Sequence, residues 1–249
     1  MTTIIYEKSR RSDACCDFLH KSGALRGFDK FFLLPIPTSR GGMLKGSDIS
    51  VSEALSSAGE GSLVVGYGIP DDAKEEVLLR GGVVVDVSAD ESFLVENAHL
   101  TALGALGILL SGCASVPSDL TFGIVGYGRI GKSLVRMLLY HGARVIVFSS
   151  KESVRLELGS YGIETRRSDS ASDASGIDIL INTAPTVLFD GGDLLSVCPR
   201  VIDLASGNAF PDYPDVEKYP SLPAKAFPVS AGRCLAGAVI RSLGEGGAL

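Results

Sequence analysis

Phe122-Gly123-Ile124-Val125-Gly126-Tyr127-Gly128-Arg129-Ile130-Gly131 is the stretch whose reading decides the fold. Phe122 to Val125 read as a buried strand. A helix follows from Ile130 to His141, carrying Leu134, Val135, Leu138 and Leu139. Three glycines spaced G-x-G-x-x-G between a strand and a helix have separate physical duties. Gly126 permits the tight turn, Gly128 lets the backbone approach a pyrophosphate, and Gly131 lets helix and strand pack closely, while the amides of the helix start favour the anion. The stretch predicts a dinucleotide-binding α/β domain from Leu120 to about Val201, with Gly126, Tyr127, Gly128, Arg129, Ile130 and Gly131 against the cofactor.

Strand and helix go on alternating beyond it: strand Val145 to Phe148, helix Glu152 to Tyr161, and strands Ile163 to Thr165, Ile179 to Asn182 and Val201 to Leu204. Upstream, Phe31 to Leu34, Leu63 to Val65 and Val83 to Val87 read as buried parallel strands, with helices at Arg11 to Lys21 and Asp71 to Arg80. The expected architecture is α/β, with two Rossmann-like lobes, the C-terminal one a doubly wound parallel dinucleotide-binding sheet. The expected boundaries are a substrate lobe at 1–95, a connecting helix and linker at 96–119, the cofactor domain at 120–228, and a C-terminal helix at 229–249 returning to the first lobe. Glu96 to Leu110 is apolar on nearly every face and reads as a buried connecting helix, with Gly104 and Gly107 permitting close helix contact.

The chain's 249 residues suit one large core or two modest ones. A formal net charge of −6 argues against a general nucleic-acid binder, which needs a basic face to displace counterions. The start of the chain lacks an apolar signal core and Leu100 to Leu110 is too short to span a bilayer, so no membrane partner and a cytoplasmic location are expected. Five cysteines without a CxxC pair and three histidines predict neither a disulfide framework nor a metal site.

In a dinucleotide domain the second strand normally ends in an acid that binds the adenine ribose. Here Ser149-Ser150-Lys151 follow that strand and Arg155 lies a turn farther on. Loss of the acid and gain of cations favour a 2′-phosphate, hence NADP, with NAD as the alternative. Ligands of parallel sheets lie beyond the carboxyl ends of strands, which adds Asn182, Thr183, Ala184 and Pro185, and Asp203 and Ala205, to the cofactor side, with Ser206 and Gly207 following in the same loop. After a first-lobe strand, Pro35 to Gly42 carries Thr38, Ser39 and Arg40, a set suited to a substrate carboxylate. His99, on an apolar helix near Glu96, reads as a core residue, and no catalytic acid or base is assigned.

Taken in order, Leu33-Leu34-Pro35-Ile36-Pro37-Thr38-Ser39-Arg40, Gly66-Tyr67-Gly68-Ile69-Pro70, Glu96-Asn97-Ala98, the glycine fingerprint, Ile181-Asn182-Thr183-Ala184-Pro185 and Ile202-Asp203-Leu204-Ala205-Ser206 resemble the A subunit of bacterial dipicolinate synthase. That family is related to the D-2-hydroxyacid dehydrogenases. The resemblance implies oxidation of a dihydrodipicolinate-like cyclic dicarboxylate with a nicotinamide cofactor during sporulation. It also implies Glu96 and Asn97 near the substrate, partnership with a second synthase subunit, and a homodimer. Ser150 stands where the family tends to carry an arginine, leaving Lys151 or Arg155 to supply charge. No histidine follows His141, which disfavours ordinary 2-hydroxyacid chemistry. The competing readings are a dinucleotide sensor or partner subunit without catalysis, and a 2-hydroxyacid dehydrogenase-like enzyme acting on another small acid.

Overall fold

The chain divides into two units, Met1–Asn97 with Phe227–Leu249, and Ala98–Ala226, in a computed structural model that describes residues 1–167, 171–185, 194–205, 210 and 215–245. In chain order the first unit holds β1 (Thr2–Ile5), α1 (Arg10–Ser22), β2 (Lys30–Leu33), β3 (Ser39–Arg40), β4 (Met43–Leu44), α2 (Val51–Ala54), β5 (Ser62–Gly66), α3 (Asp71–Leu79) and β6 (Val83–Asp86). Helix α4 (Glu91–Ser111) contains the unit boundary. The second unit continues with β7 (Thr121–Val125), α5 (Arg129–Tyr140), β8 (Arg144–Phe148), α6 (Glu152–Ser160), β9 (Glu164–Arg166), β10 (Ile179–Asn182), α7 (Leu194–Val197), β11 (Arg200–Asp203), β12 (Glu217–Lys218) and α8 (Leu222–Ala226). The last helix, α9 (Pro228–Glu245), packs on α1 in the first unit.

All strand pairs of the two main sheets are parallel. The first sheet runs β1-β2-β5-β6, without reversal. The second runs β12-β11-β10-β7-β8-β9, so the chain builds outward from β7 to β9 and then restarts on the other side of β7 at β10. That reversal leaves a crevice at the carboxyl ends of β7 and β10, the place where doubly wound sheets bind dinucleotides.

Local chemistry explains the element ends. Helix α1 opens with a capping box in which Ser9 Oγ accepts from the Ser12 amide (3.2 Å) and Ser12 Oγ accepts from the Ser9 amide (2.8 Å), and it closes on Gly23 in the left-handed region (φ 77°). Two elements have little sequence signal. Strand β1 is a half-exposed edge of four residues, and β3 and β4 form a hairpin of two-residue strands whose Gly41 and Gly42 both have positive φ (61° and 82°). Ser39 and Arg40 therefore sit on a short strand rather than in the open loop expected from sequence.

Helix α4 begins at Glu91, before the expected Glu96, because Asp90 Oδ1 caps the Phe93 amide at 2.8 Å. By length and composition its 21 residues would cross a bilayer, beyond the shorter run read from sequence. Ala102, Ala105 and Leu109 instead enter a core with Leu134 and Leu138 of α5, Leu158 of α6, and Ile124, Val147 and Ile181 of the sheet. Gly104 is a close-approach position, since a Cβ there would meet Leu222 Cγ at 2.9 Å, whereas at Gly107 it would meet open space. His99 is exposed, not in the core as expected.

At the carboxyl end of the first sheet Asp86 acts as a clamp. Its carboxylate accepts from the amides of Gly68 (2.8 Å), Ile69 (3.0 Å) and Ser88 (3.0 Å) and pairs with Lys74 Nζ at 2.9 Å. Burial pushes this carboxyl up, but the hydrogen bonds from Lys74, Ser88 and Gly68 outweigh it and hold the group below the usual carboxylate range. A depressed carboxyl stabilises the fold above its unfolded pKa of about 3.9, and the contribution is lost as pH falls through the lower folded value. Asp86→Ala should cost about 2 kcal/mol at pH 7 by orphaning these donors. The cost should shrink in urea melts as the pH is taken down through the depressed titration of this carboxyl.

Candidate dinucleotide site

The turn from β7 into α5 is built as the glycine spacing predicts. Gly126 adopts φ 88°, and a Cβ there would come within 3.0 Å of Thr183 Oγ1. At Gly131 a Cβ would lie 2.3 Å from the Gly126 carbonyl oxygen, so helix and turn touch directly. Gly128 differs: it is the N-cap of α5, and a Cβ on it would meet nothing within 4 Å. Among the described residues no side chain caps this helix start, so the open space above Gly128 is bordered by the amide end of a twelve-residue helix. The arrangement fits a pyrophosphate, which needs close backbone approach and an uncapped helix end.

A cavity of about 350 Å³ adjoins the turn, lined by Gly126 to Gly128, Ser149 to Lys151 and Thr183 to Pro185. Ser149, at the end of β8, is buried; its Oγ accepts from the Lys151 amide at 3.2 Å and its carbonyl accepts from Arg155 Nη1 at 2.8 Å. Arg155 is thus fixed at the end of β8, while Ser150 and Lys151 are exposed at the cavity's rim. Tyr127 is half-buried with Lys132 Nζ 5.3 Å from its ring centre; burial first, then the Glu157 carboxylate, raises its phenol above the ordinary range. Arg129 is exposed and Ile130 half-buried on the first turn of α5.

On the other side of the switch point the polar groups face inward. Asn182 is fully buried; its Nδ2 donates to the Ala184 carbonyl (2.9 Å) and to Asp203 Oδ1 (2.8 Å), and its Oδ1 accepts from the Ala184 amide (3.0 Å). Asp203 Oδ1 also accepts from the Ala205 amide at 3.0 Å. Thr183 Oγ1 donates to the Val125 carbonyl at 2.8 Å, tying β10 to the fingerprint strand. These residues shape the crevice, and Thr183 to Pro185 line it. Ser206 and Gly207 lie outside the described residues.

The residues expected to hold substrate belong to the first unit. Thr38 does not fit the direct contact expected of it: it is fully buried, its Oγ1 accepts from the Tyr67 amide (2.8 Å) and donates to the Pro35 carbonyl (3.2 Å). It joins the Pro35 to Arg40 segment to the Gly66 to Ile69 turn. Ser39 is half-buried, and Arg40 is exposed with no ion pair among the described residues. On α4, Glu96 is exposed and Asn97 half-buried; burial first, then the Glu96 carboxylate, pushes the neighbouring Cys234 thiol up to about 12. Sequence reading overlooked the Asp86 clamp, for which an acid closing a strand after a Gly-Tyr-Gly turn was the available sign.

No protein-family model matches the chain, and no curated protein matches it. Solved structures do. The A subunit of dipicolinate synthase from Bacillus halodurans is similar over 97% of both chains, at 20% identity and TM-score 0.73. Its counterpart from Bacillus subtilis is similar over 98% of this chain and 96% of its own, at 18% identity and TM-score 0.74. This chain has their fold. D-lactate dehydrogenase from Escherichia coli shares it more distantly, at 15% identity and TM-score 0.57 over 99% of this chain and 97% of its own. The resemblance spans both units, so the shared fold is that of the whole chain and not of the glycine turn alone.

Proposed function

We propose that this protein is an NADP-dependent oxidoreductase that removes hydride from a dihydrodipicolinate-like cyclic dicarboxylate, working in the cytoplasm in homodimeric form beside a second synthase subunit. The observation that carries the cofactor half is the uncapped cradle at Gly128, open where a pyrophosphate needs room and closed by Gly126 and Gly131 on either side. Support for NADP over NAD comes from the end of β8. Ser149 replaces the ribose-binding acid, and Arg155 is anchored there with Lys151 at the rim. A 2′-phosphate would meet two cations where a carboxylate would repel it.

The nicotinamide supplies a hydride acceptor. In the proposed reaction one ring C–H bond yields its hydrogen and electron pair to that acceptor, a second hydrogen leaves as a proton to water, and aromatisation of the ring drives the step. The protein's work is positioning. Ser39 and Arg40 on the first-unit hairpin bind a carboxylate, Thr38 holds that hairpin segment in place, and Glu96 and Asn97 flank the substrate.

The test is the change in nicotinamide absorbance when the purified chain meets cyclic dicarboxylate intermediates formed in situ, with NADP+ or NAD+. Turnover favouring NADP+ is expected. Binding of dinucleotide without turnover on any such acid would leave a sensor or a non-catalytic partner in its place. Arg155→Ala should weaken NADP+ binding about tenfold, or about 1.4 kcal/mol, and leave NAD+ binding nearly unchanged. Arg40→Ala should depress turnover while cofactor affinity stays as in the parent chain.

A further inference from the structure

We infer that Asp203 makes this site discriminate between the oxidation states of its cofactor, holding the oxidised, cationic nicotinamide more tightly than the reduced, neutral one. The inference rests on the proposed cofactor reading. Asp203 is a carboxylate at the carboxyl end of β11 and is 4% exposed. Among the described residues its hydrogen-bond donors, Asn182 Nδ2 and the Ala205 amide, are both neutral and both meet Oδ1. None of the ion pairs among the described residues involves it. Lys218, its partner in register on β12, sends its ammonium to the Phe210 carbonyl at 3.4 Å. A buried carboxylate without a cation is costly to the fold, and such a group is retained where a ligand's charge compensates it.

The sheet says which end of a dinucleotide lies on that side. With its pyrophosphate on the Gly126 to Gly131 turn and its adenosine over β7 and β8, the remaining half of the molecule crosses the switch point to β10 and β11. Asp203 stands two strands, or roughly 10 Å, along the same edge from β7. Its register partner Asn182, at the end of β10, fixes the carboxylate through Nδ2 and fixes Ala184, a wall of the cavity, through both amide atoms. A fixed negative charge in a poorly solvated position attracts a ring that carries a positive charge and is indifferent to one that does not. Asn182 is the positioning residue and Asp203 supplies the field.

The experiment is calorimetric titration of the full chain with NADP+ and NADPH separately, for the parent, Asp203→Asn and Asp203→Glu. The parent should bind NADP+ more tightly than NADPH. In Asp203→Asn the NADP+ affinity should fall about tenfold or more relative to that for NADPH, and Asp203→Glu, which keeps the charge, should retain the parent's preference. An equal loss for both forms in Asp203→Asn, or a parent that prefers NADPH, would overturn the inference and leave the cofactor reading intact. Failure of the parent to bind either form would overturn both.

Discussion

Gly131→Val should lower the stability of the second unit by about 3 kcal/mol and abolish dinucleotide binding, whereas Gly128→Ala should leave stability within about 0.5 kcal/mol and weaken binding at least tenfold. The contrast follows from what each new side chain meets. At Gly131 the Cβ would sit 2.3 Å from the Gly126 carbonyl oxygen, a backbone atom held by the tight turn, so helix α5 must move away from β7. Overpacking against backbone has no cheap relief, and the displaced helix start no longer presents its amides to the anion. At Gly128 the backbone lies at φ −82°, ψ −163°, which any residue adopts, and the Cβ would meet nothing within 4 Å. The methyl group therefore costs the fold little and occupies the space the pyrophosphate needs. Thermal melts with and without NADPH separate the two effects. A drop of about 6–12 °C is expected for Gly131→Val alone.

The second large effect lies far from the crevice. Gly232 is in the interior of α9, where alanine would ordinarily add about 1 kcal/mol of helix stability. A Cβ there would meet the Arg11 carbonyl oxygen at 2.6 Å, Ala14 Cβ at 2.7 Å and the Cys15 amide nitrogen at 2.8 Å. Helices α1 and α9 approach backbone to backbone at this point, so steric cost should outweigh propensity. Gly232→Ala should destabilise by about 2 kcal/mol and Gly232→Leu by more, seen as a fall in the urea midpoint of the first unit. NADPH affinity should be unchanged in Gly232→Ala, because the cradle belongs to the other unit.

The parts of this molecule legible in the sequence are those where local chemistry and long-range structure agree. The fingerprint glycines are one such case, since turn, approach and packing each leave a distinct residue at a fixed offset. The buried strands β2, β5, β7, β8, β10 and β11 are another, being apolar runs of a length that suits a parallel sheet. Strand order was not legible: nothing in a series of strands says that the first sheet runs without reversal while the second reverses at β7. Edge strand β1 and the β3–β4 hairpin are too short to carry a period, and Asp90 as the cap of α4 went unread beside the acidic Glu91.

Within the candidate site, residue types were easier to read than their orientation. Thr38, Asn182 and Asp203 were recognisable as polar residues at or beyond strand ends, but all three turn inward and bond within their own unit. A sequence gives the position of a hydroxyl or carboxylate along a strand. Whether that group reaches a ligand or holds a neighbouring loop depends on partners far away in the chain, such as Tyr67 for Thr38 and Asn182 for Asp203. His99 shows the reverse case, an exposed residue on a helix whose average apolarity suggested burial.

The most direct test of the central claim is equilibrium binding of NADPH to the purified chain, followed by the fluorescence of the reduced nicotinamide. Saturable binding is expected, at least tenfold weaker in Gly128→Ala with its fold intact. Absence of saturable binding in the parent chain, or equal affinity in Gly128→Ala, would contradict it.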